Sequence, residues 1–336
     1  MVSKEIVRRT LDFTNPDRVA RSFRESDLIM CNYQVASQAT PWEKVSEQRW
    51  ERIDEWGNTW GRLDDTSKGE VTRGVLEGAT TIDTLNFPDF ANYRSYQQAA
   101  GIVAKYPDKW IIGSMPGFTF NIARKLYKLE NYLCQLMLEP DAIHHLHDRV
   151  DVILLQMIDH YAQAGVDAIM FPEDWGTQTQ TMISPQLWRE EFQPRFIKLC
   201  DAAHRRSLRI FMHSCGAIGA IVPDLIRSGI DVLQFDQPML HGIDQLAAWQ
   251  AEQPITYWCP VDIQRTLQTH DERLIEAEAR EMLEKLWRGR GGFIAGFYPD
   301  EASIGLEPRW QQIACAAFRK YGQDVDAPVV DAVNCG

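Results

Sequence analysis

The sequence predicts an α/β protein folded as a (β/α)8 TIM barrel, a single domain with an N-terminal helical extension. Three observations carry this reading. From about residue 108 onward, short β-rich runs alternate with longer amphipathic stretches, the pattern of parallel βαβ units. None of these runs is followed by a Gly-x-Gly-x-x-Gly or Gly-x-x-x-x-Gly-Lys-Ser/Thr turn, which open nucleotide-binding sheets usually carry; this favours the closed barrel over a doubly wound sheet. The length, 336 residues, suits one barrel, although it also accommodates two smaller units. With no internal repeat, Gly/Ser linker or long charge block, the expected organisation is one domain over 1–336. Its core spans about 5–321, and 322–336 form a short tail.

Taken in order, a first strand is expected near Leu28–Tyr33. Others follow at Trp110–Ser114, Ala168–Pro172, Arg209–His213, Val232–Asp236, Thr256–Cys259 and Phe293–Phe297. The clearest helix carries Ile143, Leu146, Val150, Ile153, Leu154, Met157, Ile158 and Tyr161, whose spacing defines one apolar face. Another runs from Asp271 to Trp287, where Arg288-Gly-Arg-Gly-Gly stops it before the last strand.

Composition narrows the function. Lys plus Arg total 35 against 47 Asp plus Glu, a net charge of -12, which disfavours nucleic acid and anionic membranes as partners. The opening segment MVSKEIVRRTLDF has a basic cluster without an apolar stretch or cleavage site, so a cytoplasmic protein is expected. Seven cysteines, at 31, 134, 200, 215, 259, 315 and 335, are odd in number and scattered, the pattern of reduced thiols.

In a barrel the chemistry sits where strands end. The segments just past the strands are Met115-Pro-Gly-Phe118-Thr, Glu173-Asp174-Trp-Gly-Thr-Gln178, His213-Ser-Cys215-Gly, Asp236-Gln-Pro, Cys259-Pro-Val-Asp262 and Tyr298-Pro-Asp-Glu. They are rich in His, Cys and carboxylate. His213-x-Cys215 is the sharpest element, because alternate strand residues point to one side and an imidazole with a thiolate makes a zinc pair. A buried thiol beside a hydrogen-bonded rim histidine is the bland alternative. Cys259 and Glu173 stand at other strand ends as further candidate ligands. Two adjacent acids cannot both cap a helix, so Glu173 and Asp174 are candidate catalytic groups, Glu173 as a general base or facing the metal. Asp236 and Asp262 read first as helix N-caps, and with Phe118, Gln178 and Tyr298 they are also the candidate substrate-binding residues. The cluster His144-His145-x-His147 fans over several faces of a helix and reads as a solvated helix start rather than a metal site.

The run Phe211-Met-His-Ser-Cys-Gly-Ala-Ile, with Pro223-Asp-Leu-Ile-Arg-Ser-Gly-Ile-Asp-Val-Leu-Gln after it, resembles the uroporphyrinogen decarboxylase superfamily. So do Asn15-Pro-Asp-Arg-Val, Asp54-Glu-Trp-Gly-Asn-Thr-Trp-Gly, Gly113-Ser-Met-Pro-Gly-Phe-Thr-Phe, Ala164-Gly-Val-Asp-Ala and Val261-Asp-Ile-Gln, so the likeness spans most of the chain. The resemblance implies a barrel with its site at the strand C-termini, and one of two chemistries. These are metal-free porphyrinogen decarboxylation and zinc-dependent methyl transfer with a corrinoid, as in methylcobalamin:coenzyme M methyltransferases.

The decarboxylase branch carries an early Arg-Gln-Ala-Gly-Arg segment that meets the substrate's carboxylates. Here the region reads Met30-Cys-Asn-Tyr-Gln-Val-Ala, without arginine. The methyltransferase branch pairs His-x-Cys with a late cysteine, and none stands at Phe297–Pro299. The resemblance therefore leaves the third ligand among Cys259, Glu173 and Tyr298, or absent. The expected cofactors are zinc and a corrinoid (methylcobalamin), free or on a partner protein. The expected partners are a small-molecule methyl donor or acceptor and that corrinoid protein, with a homodimer left open. A metal-free lyase acting on a smaller carboxylated substrate and a non-catalytic binding barrel are the alternatives.

Overall fold

The computed structural model describes residues 1–77 and 81–323; most of the expected tail, with Cys335, lies outside the described residues. A first helix, α1 (Ser3–Asp12), precedes β1 (Ala20–Arg21) and β2 (Leu28–Cys31). Four further strands follow, β3 (Glu43–Ser46), β4 (Arg49–Ile53), β5 (Thr59–Arg62) and β6 (Glu70–Arg73). Then come α2 (Gln97–Lys105), β7 (Trp110–Ser114), α3 (Thr119–Tyr127), α4 (Leu129–Leu138) and α5 (Pro140–Ala164). The remaining strands are β8 (Ala168–Pro172), β9 (Arg209–His213), β10 (Val232–Gln234), β11 (Thr256–Cys259) and β12 (Phe293–Ala295), with helices between them.

Eight strands pair in parallel in the order β1-β12-β11-β10-β9-β8-β7-β2, a nearly closed (β/α)8 barrel. At its seam the Asp27 carboxylate accepts both terminal nitrogens of Arg18 at 2.7 Å and the Arg21 backbone N–H at 3.0 Å, tying the β1–β2 turn. Six of the eight strands, β7 to β12, are largely apolar on both faces, as a covered parallel sheet requires. Leu28, Trp110, Ile112, Ala168, Phe211, Val232 and Ile294 form one buried cluster with Ile6, Val7 and Leu11 of α1. The interior is therefore filled by side chains, and α1 closes one end of it. The alternate strand residues, such as Ile111, Ile169, Ile210, Leu233 and Tyr257, join the second cluster with the surrounding helices.

The expected strand runs match, with β10 and β12 two residues shorter and β2 ending at Cys31. Two features went unforeseen. β1 is only two residues long, too short to show a period. β3 to β6 form a separate antiparallel sheet in sequence order, inserted between β2 and β7. Its strands are exposed or half-buried with hardly a fully buried residue, so no apolar alternation announces them. They are held instead by cross-strand Trp–Arg pairs: Trp50 faces Arg62 and Arg52 faces Trp60. Arg52 lies 5.1 Å from the Trp42 ring and 5.0 Å from Trp60, and Arg62 lies 4.5 Å from Trp42 and 5.2 Å from Trp50. In the β4–β5 turn the Asp54 carboxylate accepts the backbone N–H groups of Trp56 and Asn58, the Asn58 amide and the Trp60 indole N–H. Gly57, at φ +89°, supplies the left-handed residue of that turn.

The His144–His147 segment is a solvated helix start at His144 and His145, which are exposed, but not at His147. His147 is fully buried, with Nδ1 2.6 Å from a Glu191 carboxylate oxygen and Nε2 2.8 Å from the Tyr132 hydroxyl. His144, one turn before His147, pairs with the same Glu191, whereas His145 points away to Asp83, so only His145 diverges from the other two. Among the described residues no helix is long and apolar enough to cross a membrane.

Candidate functional site

Strand register places the site. Pro172 of β8 pairs with His213 of β9, and His213 pairs with Gln234 of β10, so the residues just past these strands share one rim. The Glu173 N–H donates to the His213 carbonyl at 2.8 Å, which continues the pairing by one residue. Beyond it the β8 and β9 loops run backbone against backbone. A Cβ on Gly216 would collide with the carbonyl of Gly176, and one on Gly176 would lie 2.7 Å from the Ala217 nitrogen. Two glycines thus allow the loops to touch, and the Cys215 N–H reaches Asp174 Oδ1 at 3.0 Å.

Three donor atoms converge there. Among the described residues, Asp174, His213 and Cys215 are the group whose ligand atoms all lie within 4.8 Å of one another. His213 Nε2 is 3.3 Å from Cys215 Sγ and 3.6 Å from Asp174 Oδ1. A tetrahedral zinc with bonds of about 2.0–2.3 Å sets neighbouring ligand atoms roughly 3.3–3.7 Å apart, so these separations fit one ion. The donor types fit as well: borderline nitrogen, soft sulfur and a carboxylate. Cys215 is exposed and faces the opening.

The surroundings orient this triad. Gln234 Nε2 donates to Asp236 Oδ1 at 2.7 Å, and because a carboxylate only accepts, the amide orientation is fixed. Gln234 Oε1 then faces His213 Nδ1, which must carry a hydrogen, leaving Nε2 as the atom turned to Cys215 and Asp174. Burial alone would lower the His213 pKa, but the Cys215 sulfur and the Asp236 and Asp174 carboxylates raise it to about 10. For Asp174, burial works to raise the pKa. It is outweighed by His213, the Cys215 N–H, Arg124 and Lys125, which hold the carboxyl below its usual value. Arg124 Nη2 stands 3.7 Å from Asp174 Oδ2, and its Nε donates to Asn121 Oδ1 at 2.9 Å.

The family model described as uroporphyrinogen decarboxylase matches residues 66–297, more than half the chain and all three donors. The chain belongs to the uroporphyrinogen decarboxylase family. Among solved structures it is similar to a methyltransferase from Methanosarcina mazei, at 18% identity and a TM-score of 0.57, covering 79% of this chain and 76% of that one. It is also similar to a D-psicose 3-epimerase, at 11% identity and TM-score 0.42, over 68% of this chain and 84% of the other. A glycosylated endo-β-1,4-xylanase from Gloeophyllum trabeum matches at 11% identity and TM-score 0.40, over 68% and 80%. These likenesses are of fold. No curated protein matches the chain in sequence.

In this uroporphyrinogen decarboxylase family member the two acids after β8 part company. Asp174 joins His213 and Cys215, while Glu173 turns inward, is fully buried and accepts the Asn121 N–H at 3.1 and 3.2 Å in the first turn of α3. Glu173 is therefore not the carboxylate of the cluster. It anchors the helix whose next turn carries Arg124 to Asp174. Its burial outweighs those hydrogen bonds and raises its pKa to about 8. Cys259 is also outside the cluster: it is fully buried, and burial pushes its thiol pKa up, as for a neutral core residue. Phe118 is a core residue too, stacked on Phe171 with ring centroids 3.4 Å apart and out of reach of any ligand. Gln178 is exposed on the β8 loop.

Asp262 is buried and accepts the backbone N–H groups of Met239, Gln264 and Arg265 at 2.7–3.1 Å, which closes the turn after β11; it is not a helix N-cap, since the next helical turn starts at Leu267 with Thr266 before it. Asp236 instead serves Gln234. Tyr298 is 5% exposed, with its hydroxyl 3.4 Å from Ser303 Oγ and the Lys68 ammonium 4.9 Å from its ring. Asn121, Arg124 and Gln234 were missed by sequence reasoning. Gln234 alone carried a signal, two residues before Asp236 at a strand end.

Proposed function

We propose that the protein is a cytoplasmic zinc-dependent methyltransferase that works with a corrinoid carrier and moves a methyl group to or from a small molecule. The observation that carries this reading is the convergence of His213 Nε2, Cys215 Sγ and an Asp174 carboxylate oxygen at the mouth of the barrel. Asp174 supplies the third ligand in place of the late cysteine that methyltransferases of this superfamily use. Bound there, zinc would supply Lewis acidity, lowering the pKa of a coordinated thiol or drawing charge from the heteroatom of a methyl donor.

The chain's own residues do the rest. Gln234 holds His213 in the ligating tautomer. Arg124 restrains Asp174 through its second carboxylate oxygen, and the exposed face at Cys215 admits the small molecule. The barrel interior is filled by its own side chains, so the corrinoid is presented from outside, by a partner protein or as free cofactor.

The test follows the corrin spectrum. Purified protein is mixed with methylcobalamin or cob(I)alamin and a panel of thiols and methylated oxygen or nitrogen compounds, with and without zinc. A zinc-dependent spectral change with at least one compound is expected. No change with any of them, alongside release of carbon dioxide from a carboxylated substrate, would establish the lyase reading instead.

A further inference from the structure

A pocket of about 130 Å³ opens between the β3–β6 sheet and the β7–α3 corner. Arg52, Lys125, Trp56 and Trp60 line it, together with the acids Asp54 and Glu55. Neither cation has an ion-pair partner in contact, although Lys125 feels the more distant charges of Asp54, Asp174 and Glu55, and burial, with the Arg124 charge beside it, lowers its pKa overall. Among the described residues no carboxylate oxygen forms an ion pair with Arg52 or Lys125, and Arg52 Nε is buried without a hydrogen-bond partner. What holds them is aromatic: Arg52 lies over the Trp42 and Trp60 rings, and the Lys125 ammonium lies 5.5 Å from the Trp60 ring. The acids are occupied elsewhere. The Asp54 carboxylate accepts four N–H groups of its own turn, and Glu55 accepts the Tyr33 hydroxyl at 3.0 Å.

A cation taken from water without a hydrogen-bonding anion is a standing cost, recovered when an anion arrives. Lys125 follows Arg124 on α3, Arg124 reaches Asp174, and Lys125 itself feels the Asp174 charge, so the pocket lies on the same side of α3 as the nearest of the three donors.

We propose that this pocket receives a carboxylate-type anionic group on a flat, apolar body, with Arg52 and Lys125 holding the charge and Trp56 and Trp60 the body. As the far end of the methyl donor or acceptor, the group rests on the function proposed above; as a binding site it does not. The substrate class is then a small carboxylic acid carrying its reactive heteroatom at the other end, toward Asp174, His213 and Cys215.

Titration calorimetry with 4-methoxybenzoate and its uncharged analogue 4-methoxybenzamide tests this. Wild type should bind the acid at least about tenfold more tightly than the amide, the margin expected of charge-assisted hydrogen bonds. Arg52→Met, Lys125→Met should erase that margin while zinc content stays unchanged. Because the double variant bears on the inserted sheet, indole ¹⁵N resonances in the wild type give a second readout. At a concentration near the acid's Kd, Trp56 and Trp60 should shift clearly with the acid and only slightly with the amide. Equal affinity for acid and amide, or a preference that survives the double substitution, overturns the proposal. The acid preference should also survive in zinc-free His213→Ala, Cys215→Ser protein. If it does while no corrin chemistry is found, the pocket stands and the methyl-transfer reading falls. If corrin chemistry proceeds without discrimination between acid and amide, the pocket falls alone.

Discussion

Replacing His213 by Ala and Cys215 by Ser together should take the zinc content from about one per chain to background, measured by elemental analysis of protein purified without a His-tag. Only the Asp174 carboxylate would then remain of the three donors, and a lone carboxylate does not retain zinc against dilution. Full occupancy in the double variant would refute the site. Gln234→Leu should act more gently, weakening zinc binding roughly 10–100-fold, since it removes the acceptor that fixes the His213 tautomer while leaving every ligand in place. The affinity should also fall with falling pH. His213 holds its proton up to about pH 10 in the metal-free protein, so zinc has to expel it.

The second large effect concerns Glu173. Its folded pKa of about 8 lies above its ordinary value of 4.5, so the folded state favours the protonated acid. The stability this contributes is fully present below about pH 4.5 and is lost as pH rises through about 8. Each tenfold difference in proton affinity between the folded and unfolded chain is worth about 1.36 kcal/mol, so the loss is on the order of several kcal/mol as an upper bound. Glu173→Gln keeps the shape and an acceptor for the Asn121 N–H without an ionisable group. By chemical denaturation, the variant should gain on the wild type steadily from about pH 5 to about pH 8.5, the interval over which the buried acid loses its advantage. A constant difference between the two proteins over that range would show that Glu173 is ionised throughout and held by α3.

The fold was legible because its signal is chemical and periodic. Six of the eight barrel strands are apolar on both faces and separated by long amphipathic helices, and β2 showed a weaker version of the same pattern. The inserted sheet was not legible by that criterion. Its pairing rests on Trp50, Arg52, Trp60 and Arg62, a period of two written in aromatics and cations rather than in apolar and polar residues. At the site, His213-x-Cys215 could be read because one strand end sets both residues. The choice between Glu173 and Asp174 could not, since it depends on which acid meets the first turn of α3, a contact across 52 positions of sequence. Cys259 looked equivalent to Cys215 at a strand end. The difference is burial: Cys259 is part of the core cluster, whereas Cys215 is exposed.

One carboxylate, one imidazole and one thiolate from adjacent strand ends are expected to hold a single zinc. X-ray absorption at the zinc edge of the wild-type protein tests this most directly. The expected spectrum has one sulfur neighbour at about 2.3 Å, with the remaining neighbours nitrogen or oxygen at about 2.0–2.2 Å. Two or more sulfur neighbours, or no zinc retained at one per chain, would contradict it.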